Sequence, residues 1–262
     1  MILDDILAHK RQELTQRTQA VPLTNLCARA AEQPTPLDFA AALARPGISL
    51  IAEVKRASPS KGLLCPDFEP ISLATTYAVH GAAAISVLTD THFFHGSLTH
   101  LSAIRCALQP PIPLLRKDFV FDPYQVYEAR AHGADALLLI VAILPDGLLS
   151  DLLALTHELG MTALVEVHNE AEIDRAAALC PRIVGINNRN LGDFSVNLAT
   201  FGRLRPLLPE GTVAVAESGV HTATDVRRLA AAGADAILVG EALVTAPDVA
   251  AKVRELATGG QL

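Results

Sequence analysis

Apolar positions follow two different periods along this chain. Up to about residue 46 they recur at helical spacing: Ile2, Leu3, Ile6 and Leu7 return at i and i+4, and Glu13 precedes Arg17 by four residues, an oriented ion pair on a helix surface. The tract Pro34-Thr35-Pro36 breaks this helical stretch, and a second short one begins at Leu37. Residues 1–46 therefore read as a helical extension packed on a main domain. From Ile48 short aliphatic runs alternate with longer helical segments. The runs are 49–54, 83–88, 112–115, 136–141, 162–167, 183–186, 212–216 and 236–239. Their intervals of ~20–35 residues suit repeated βα units.

Punctuation supports the repeat. Gly81-Ala82-Ala83-Ala84, Gly133-Ala134-Asp135-Ala136 and Gly233-Ala234-Asp235-Ala236 each follow a helical segment and precede a strand, where a helix-ending glycine belongs. Thr222-Ala223-Thr224-Asp225 has the form of a capping box, and Asp248 stands where a negative charge favours a helix start. Such self-similarity favours closure over an open sheet, so residues 47–262 are predicted to form an α/β fold of the (β/α)8 barrel type.

Composition narrows the picture. Half of the 262 residues are hydrophobic and tryptophan is absent, so aliphatic side chains must build the core, as suits parallel strands covered on both faces. The formal charge of -7, with its basic residues scattered, argues against a nucleic-acid partner. A phosphate-bearing small molecule remains compatible, because local cations and helix N-termini bind anions within acidic proteins. Cys27, Cys65, Cys106 and Cys180 stand far apart without zinc-ligand spacing, as reduced thiols of a cytoplasmic protein would. Asp4 and Asp5 occupy the place where a secretory signal needs basic residues. The longest apolar run, Ala136 to Leu144, is too short to span a bilayer, so no membrane association is expected.

Charge collects at the C-terminal ends of the strands, where barrel enzymes build their active sites. Strand one ends in Glu53-Val54-Lys55, strand three in Arg116-Lys117, strand five in Glu166 and strand seven in Glu217-Ser218. Residues of alternate strands share a layer inside a barrel, so Glu53 or Lys55, Lys117, Glu166 and Glu217 are expected in one ring. A single charge at a strand end is ordinary solvated loop boundary. Four on alternate, otherwise aliphatic strands point to a functional mouth, since burying opposite charges for stability alone gains little.

Strand six ends in Asn187-Asn188-Arg189-Asn190. Ser218-Gly219 and Gly240-Glu241 follow strands seven and eight, where this fold places its phosphate site. Gly219 and Gly240 would let backbone N–H groups approach phosphate oxygens. The loop Arg56-Ala57-Ser58-Pro59-Ser60-Lys61-Gly62 suits either a mobile anion-contacting lid or an ordinary polar loop. His92, His95 and His100 lack a carboxylate at metal-ligand spacing and read as surface or packing residues. No nucleophile-elbow, Walker or dinucleotide motif is present.

Six blocks in order resemble the indole-3-glycerol-phosphate synthase family. They are Ile51 to Gly62; Ser86 to Asp90 with Phe93 to Ser97; Leu115 to Phe119; Leu164 to His168; Gly185 to Leu191; and Glu217 to Gly219 with Leu238 to Ala242. The resemblance spans the whole chain, including the N-terminal extension. Asn169 and Asn197 depart from it, standing where acids are expected, both outside the proposed chemistry. It implies conversion of 1-(2-carboxyphenylamino)-1-deoxyribulose 5-phosphate to indole-3-glycerol phosphate, with loss of carbon dioxide and water and without a metal or organic cofactor.

In that family Lys117 would protonate the substrate carbonyl. Lys55 would bind a substrate carboxylate or phosphate, or take part in proton transfer. Glu166 would serve the dehydration as acid or base, with Glu53 and Asn187 orienting the substrate. Arg189, Ser218, Gly219, Gly240 and Glu241 would surround the phosphate, with Ser58 and Glu217 also among the binding residues. Phe94, Phe119 and Leu191 would wall the aromatic end. A neighbouring cation or burial would lower the pKa of Lys117, while a nearby glutamate would raise it. A phosphoribosylanthranilate isomerase, a Schiff-base aldolase and a catalytically dead barrel are the competing readings; the last should have lost Lys117 or Glu166. A monofunctional monomer is expected.

Overall fold

The aliphatic runs resolve, among the described residues, into eight parallel strands that close on themselves in sequence order. The computed structural model describes residues 2–260 other than 193, the side chain of Ile2 excepted. The predicted extension's Met1 and Ile2 side chain, and the last two residues of the predicted barrel span, lie outside the described residues. The strands are β1 (Ser49–Val54), β2 (Ala84–Leu88), β3 (Leu114–Lys117), β4 (Ala136–Ile140), β5 (Thr162–Val167), β6 (Ile183–Asn187), β7 (Val213–Glu217) and β8 (Ala236–Val239). Pairing of Ser49 with Ala236 and of Ile51 with Ala84 joins the first strand to both the last and the second.

Three strands have the bounds read from the sequence. Others shift, and the shift is informative on β3, β6 and β7, which run into their polar residues. Lys117 pairs with Leu88, and Asn187 with Glu217. Polar side chains at the barrel rim do not interrupt the backbone ladder, so an aliphatic pattern stops short of the strand end. The stretch Arg56–Gly62 read as a loop contains half of a short hairpin, in which Ala57–Ser58 pairs antiparallel with Gly62–Leu63.

Before the barrel come α1 (Ile2–Ala20), α2 (Leu23–Glu32) and α3 (Phe39–Leu43). The helical stretch expected to run to Pro34 is thus interrupted at Val21-Pro22. Proline has no N–H to continue a helix and pushes its predecessor out of the α region. Between and after the strands lie α4 (Pro70–Val79), α5 (Leu98–Ala107), α6 (Pro123–Ala131), α7 (Asp146–Glu158), α8 (Glu170–Ala177), α9 (Ala199–Leu204), α10 (Ala223–Ala231), α11 (Glu241–Val244) and α12 (Val249–Thr258). The capping box at Thr222 and Asp225 is formed, and Asp248 caps α12 by accepting from the Ala251 amide. Gly81, Gly133 and Gly233 all have positive φ, as helix-ending glycines do. No helix among the described residues is long and apolar enough to cross a membrane.

Strand alternation sorts the core into two layers. Leu50, Ala52 and Val54, with Val165, Val167 and Ala216, face outward against the helices. Ile51, Leu115, Leu164, Ile183 and Val215 fill the barrel interior, and Phe39, Ala40 and Leu43 of α3 join that inner cluster. The Ser49 hydroxyl donates to the Leu43 carbonyl at 3.0 Å, fixing α3 at the N-terminal end of the strands. The opposite end stays open.

Helices α1 and α2 are tied to the barrel by polar as well as apolar contacts. Leu26 and Ala30 pack with Tyr124 and Ala131 of α6, and the Tyr124 hydroxyl lies 3.0 and 2.9 Å from the carbonyls of Arg17 and Val21. Lys10, fully buried, forms ion pairs with Asp118 at 2.8 Å and Glu13 at 2.8 Å. Arg116 points away from the barrel axis and pairs with Asp118 at 3.1 Å and Glu128 at 2.8 Å. The sequence pair Glu13 and Arg17 is formed, and Arg17 also reaches Glu128 at 2.9 Å.

Candidate active site

The same alternation that places Ile51, Leu115, Leu164 and Val215 inside the barrel places Glu53, Lys117, Glu166 and Glu217 one layer higher on the same strands. They stand in a cavity of about 430 Å³ at the C-terminal ends of the strands. On β1 it is Glu53 that takes the ring position, with Lys55 just beyond the strand end. Lys117 Nζ lies 3.5 Å from Glu166 Oε2 and 3.7 Å from Glu217 Oε2. Lys55 Nζ lies 3.3 Å from Glu53 Oε1 and 5.6 Å from the centre of the Phe94 ring. Asn187 donates from Nδ2 to Glu166 Oε1 at 3.2 Å, and its Oδ1 accepts the Arg189 amide at 3.0 Å.

Two residues on neighbouring strands are small because carboxylates lie across them. A Cβ at Gly185 would collide with Glu217 Oε1, and one at Gly240 with Glu53 Oε1. The sequence reading gave Gly240 to phosphate approach alone; the space it leaves is filled by Glu53. Ser218 and Gly219 both have positive φ, 66° and 83°, so the chain turns sharply after β7 at a cost a serine would not meet in an ordinary loop.

The ring's electrostatics separate two chemically identical groups. Burial alone would raise Glu166, but the Lys117 charge and the contacts of His168 and Asn187 outweigh it and hold its carboxyl well below the usual range. Glu217 is pushed up to about 8, first by burial and then by the charge of Glu166, with Lys117 only partly compensating. Its Oε1 has no hydrogen-bond partner among the described residues. Burial would lower Lys117, yet Glu166, Glu217 and Glu53 together raise it above the ordinary lysine value. Of the two opposing influences foreseen for Lys117, the carboxylates prevail. The two carboxyl groups that flank the Lys117 ammonium are thus shifted in opposite directions.

The binding residues foreseen from the sequence line the same cavity. Phe94 and Phe119 face each other with ring centres 6.2 Å apart, and Leu191 shares their cavity. Arg189, Ser218, Gly219, Gly240 and Glu241 line another part of the wall, and Arg189 donates to the Phe194 carbonyl at 3.2 Å. Ser58 also lines it, its hydroxyl buried and without a partner. Lys61 reaches across to Glu241 at 2.5 Å, joining the loop after β1 to that after β8. His92 and His95 are exposed, and His100 packs against Phe68 with ring centres 5.4 Å apart.

Sequence reasoning missed Leu3 and Ile6, which bring α1 into the cavity wall, and His168, which contacts Glu166. The signal for His168 was present: Glu166-Val167-His168 has the spacing of Glu53-Val54-Lys55. Asn169, set aside as outside the chemistry, caps α8 and hydrogen-bonds the Glu172 side chain that holds His168.

Fold and cavity together define a barrel enzyme with its acid–base groups at the C-terminal strand ends. A family model described as Indole-3-glycerol phosphate synthase matches residues 3–256. A relative of that name from Roseiflexus sp. (strain RS-1) is 58% identical over 265 residues, covering 98% of each chain. Another from Dehalococcoides mccartyi (strain ATCC BAA-2266 / KCTC 15142 / 195) is 50% identical over 258 residues, covering 98% of this chain and all of its own. The chain belongs to the indole-3-glycerol phosphate synthase family. More distant solved structures share the fold alone. A 3-hexulose-6-phosphate synthase superposes with a TM-score of 0.63 at 18% identity, over 81% of this chain and 99% of that one. An orotidine 5'-phosphate decarboxylase from Pyrococcus horikoshii OT3 gives 0.61 at 15% identity, over 80% and 98%.

Proposed function

We propose that the cavity closes the indole ring of 1-(2-carboxyphenylamino)-1-deoxyribulose 5-phosphate, yielding indole-3-glycerol phosphate, carbon dioxide and water. The observation that carries this reading is the Lys117 ammonium set in the cavity 3.5 Å from Glu166 Oε2 and 3.7 Å from Glu217 Oε2. Attack of the carboxylate-bearing ring carbon on the sugar carbonyl sends the C=O electron pair to oxygen, and Lys117 delivers the proton that makes it a hydroxyl. Loss of carbon dioxide returns its bonding electrons to the aromatic ring. The hydroxyl then leaves as water on a proton from Lys117, recharged from solvent, while the adjacent CH2 gives its proton to Glu166 as the base. Every step is a proton transfer or heterolysis, so no metal or organic cofactor is required.

Positioning divides the remaining residues. Glu53 and Asn187 orient the anilino and hydroxyl groups, and Lys55 meets the substrate carboxylate beside Phe94. Phe94, Phe119 and Leu191 cover the aromatic end. Arg189, Ser218, Gly219, Gly240 and Ser58 bind the phosphate, with Glu241 and Glu217 completing the wall. The chain acts as a cytoplasmic monomer in this reading, and a single-subunit mass in solution would support it.

A Schiff-base mechanism needs a neutral, nucleophilic amine. The carboxylates that raise Lys117 disfavour that form, so borohydride should trap no adduct on Lys117. The direct test mixes purified protein with the anilino-deoxyribulose phosphate and follows indole fluorescence. A rise with stoichiometric carbon dioxide supports the reaction; a folded protein that binds the substrate without a rise contradicts it.

A further inference from the structure

The charged cluster continues outward along β5, in a direction the proposed chemistry leaves unused. Two residues beyond Glu166, His168 hydrogen-bonds Glu172 Oε2 through Nδ1 at 3.0 Å, while its Nε2 lies 3.1 Å from Glu166 Oε1, at ion-pair distance but outside hydrogen-bond alignment. Glu172 is itself fixed. Its Oε2 also accepts the His168 amide at 2.9 Å, and its Oε1 accepts from Asn169 Nδ2 at 2.7 Å. Its own amide donates to Asn169 Oδ1 at 3.0 Å, the N-cap bond of α8. The start of α8 and the clamp on the imidazole are therefore one structure.

A neutral imidazole offers one donor and one acceptor nitrogen. Here each nitrogen faces a carboxylate oxygen, and an acceptor nitrogen set against either would be repelled. Only the imidazolium presents positive charge to both carboxylates. Glu166 is then flanked by two cations at different oxygens, Lys117 of β3 at Oε2 and His168 at Oε1, with Asn187 of β6 also at Oε1. The opposing negative groups are Glu217 of β7 and Glu53 of β1, the latter paired with Lys55, and Glu172 of α8 on the outer side.

We propose that His168, clamped by Glu172 and Asn169, is a positioning residue: its imidazolium fixes the Glu166 carboxylate and keeps it ionised, which makes Glu166 rather than Glu217 the base of the site. This rests on the reading of Glu166 given above. The charge balance agrees. Burial alone would lower His168, but Glu166 and Glu172 outweigh it and raise it to about 10, so the cation persists through the neutral range. Equal geometry in strand position explains the choice: Glu166 and Glu217 occupy the same layer, and only Glu166 has a histidine two residues further along its strand.

The test is the pH dependence of kcat and KM for the wild type, His168→Asn and Glu172→Gln. Loss of the imidazolium should lower kcat by roughly 10–100-fold, the range for a residue that orients a functional group. The acid limb of the kcat profile should move up by about one pH unit or more, with KM changed far less. Glu172→Gln should move the limb the same way by less. A uniform fall at every pH with the limb unmoved would mean a structural role only and overturn the proposal. A second readout does not depend on turnover. Ring-nitrogen chemical shifts of the folded wild type should show both His168 nitrogens protonated at about pH 8, well above free histidine. A neutral tautomer there would refute the clamp even if the enzyme were inactive, whereas an inactive wild type with an imidazolium would count against the ring-closure reading alone.

Discussion

Glu166 and Glu217 differ only in their neighbours, and the site depends on that difference. Glu217 is pushed up to about 8 by burial and by the charge of Glu166. Because its folded value lies above the ordinary 4.5, the folded protein retains a proton that the unfolded chain has released. Its contribution to stability is present below 4.5 and is lost as pH rises to about 8. Glu217→Gln mimics the protonated form, so its melting temperature relative to wild type should rise between these limits. An unchanged difference across that window would mean Glu217 is ionised in the fold. At Gly240 the constraint is steric. Gly240→Ala sets a methyl group against Glu53 Oε1 and should lower kcat/KM by about 10²-fold, the scale of a misplaced functional group, with little loss of fold. Steady-state kinetics beside a thermal melt would show it. Glu53, Lys117, Glu166 and Glu217 were legible in the sequence because alternate strands share a layer. The opposite shifts of the two glutamates were not, since they arise from distances across the barrel. His168 was legible in spacing but hidden by attention to strand ends, for it lies one residue past β5.

The elements were readable in number and order from hydrophobic period alone, and their ends less so. The aliphatic run 112–115 begins before β3 and stops short of its end, but the Arg116-Lys117 end read from the charge pattern holds; in the structure these two residues point to opposite sides of the strand, Lys117 into the cavity and Arg116 into a buried ion cluster. That cluster ties α1 to β3 through Lys10 and Asp118, a contact between residues 108 positions apart that no local pattern encodes. Burial would raise Asp118, but Lys10 and Arg116 hold its carboxyl far below the usual range. Lys10→Met removes one cation from a buried pair and should destabilise the barrel by about 3 kcal/mol, the cost of leaving a buried charge under-compensated. Chemical denaturation would measure it. Asp118 directly follows Lys117, so kcat should fall in the same variant through a displaced ammonium. A variant with wild-type stability and activity would show that α1 only covers the cavity.

At the scale of the whole molecule, the division of labour is between the two ends of one barrel. Inside, Ile51, Leu115, Leu164 and Val215 build an aliphatic layer with α3 at the N-terminal end. On top of it stands the charged layer, desolvated from below and open only toward the cavity. A low-dielectric floor strengthens each charge interaction above it, which is why Glu166 and Glu217 are shifted in opposite directions. The closure of the sheet could be anticipated from the repeated Gly-Ala tracts. The wall supplied by Leu3 and Ile6 could not, because a helix at the far end of the sequence carries no sign of where it docks. In the proposed reaction Lys117 is the acid of ring closure and Glu166 the base of the dehydration. The measurement that tests both roles most directly is the formation of indole fluorescence at saturating anilino-deoxyribulose phosphate by the wild type, Lys117→Ala and Glu166→Gln side by side. Rapid product formation is expected from the wild type and losses on the order of 10³-fold from both variants, with substrate binding retained. Wild-type rates in both folded variants would contradict both roles.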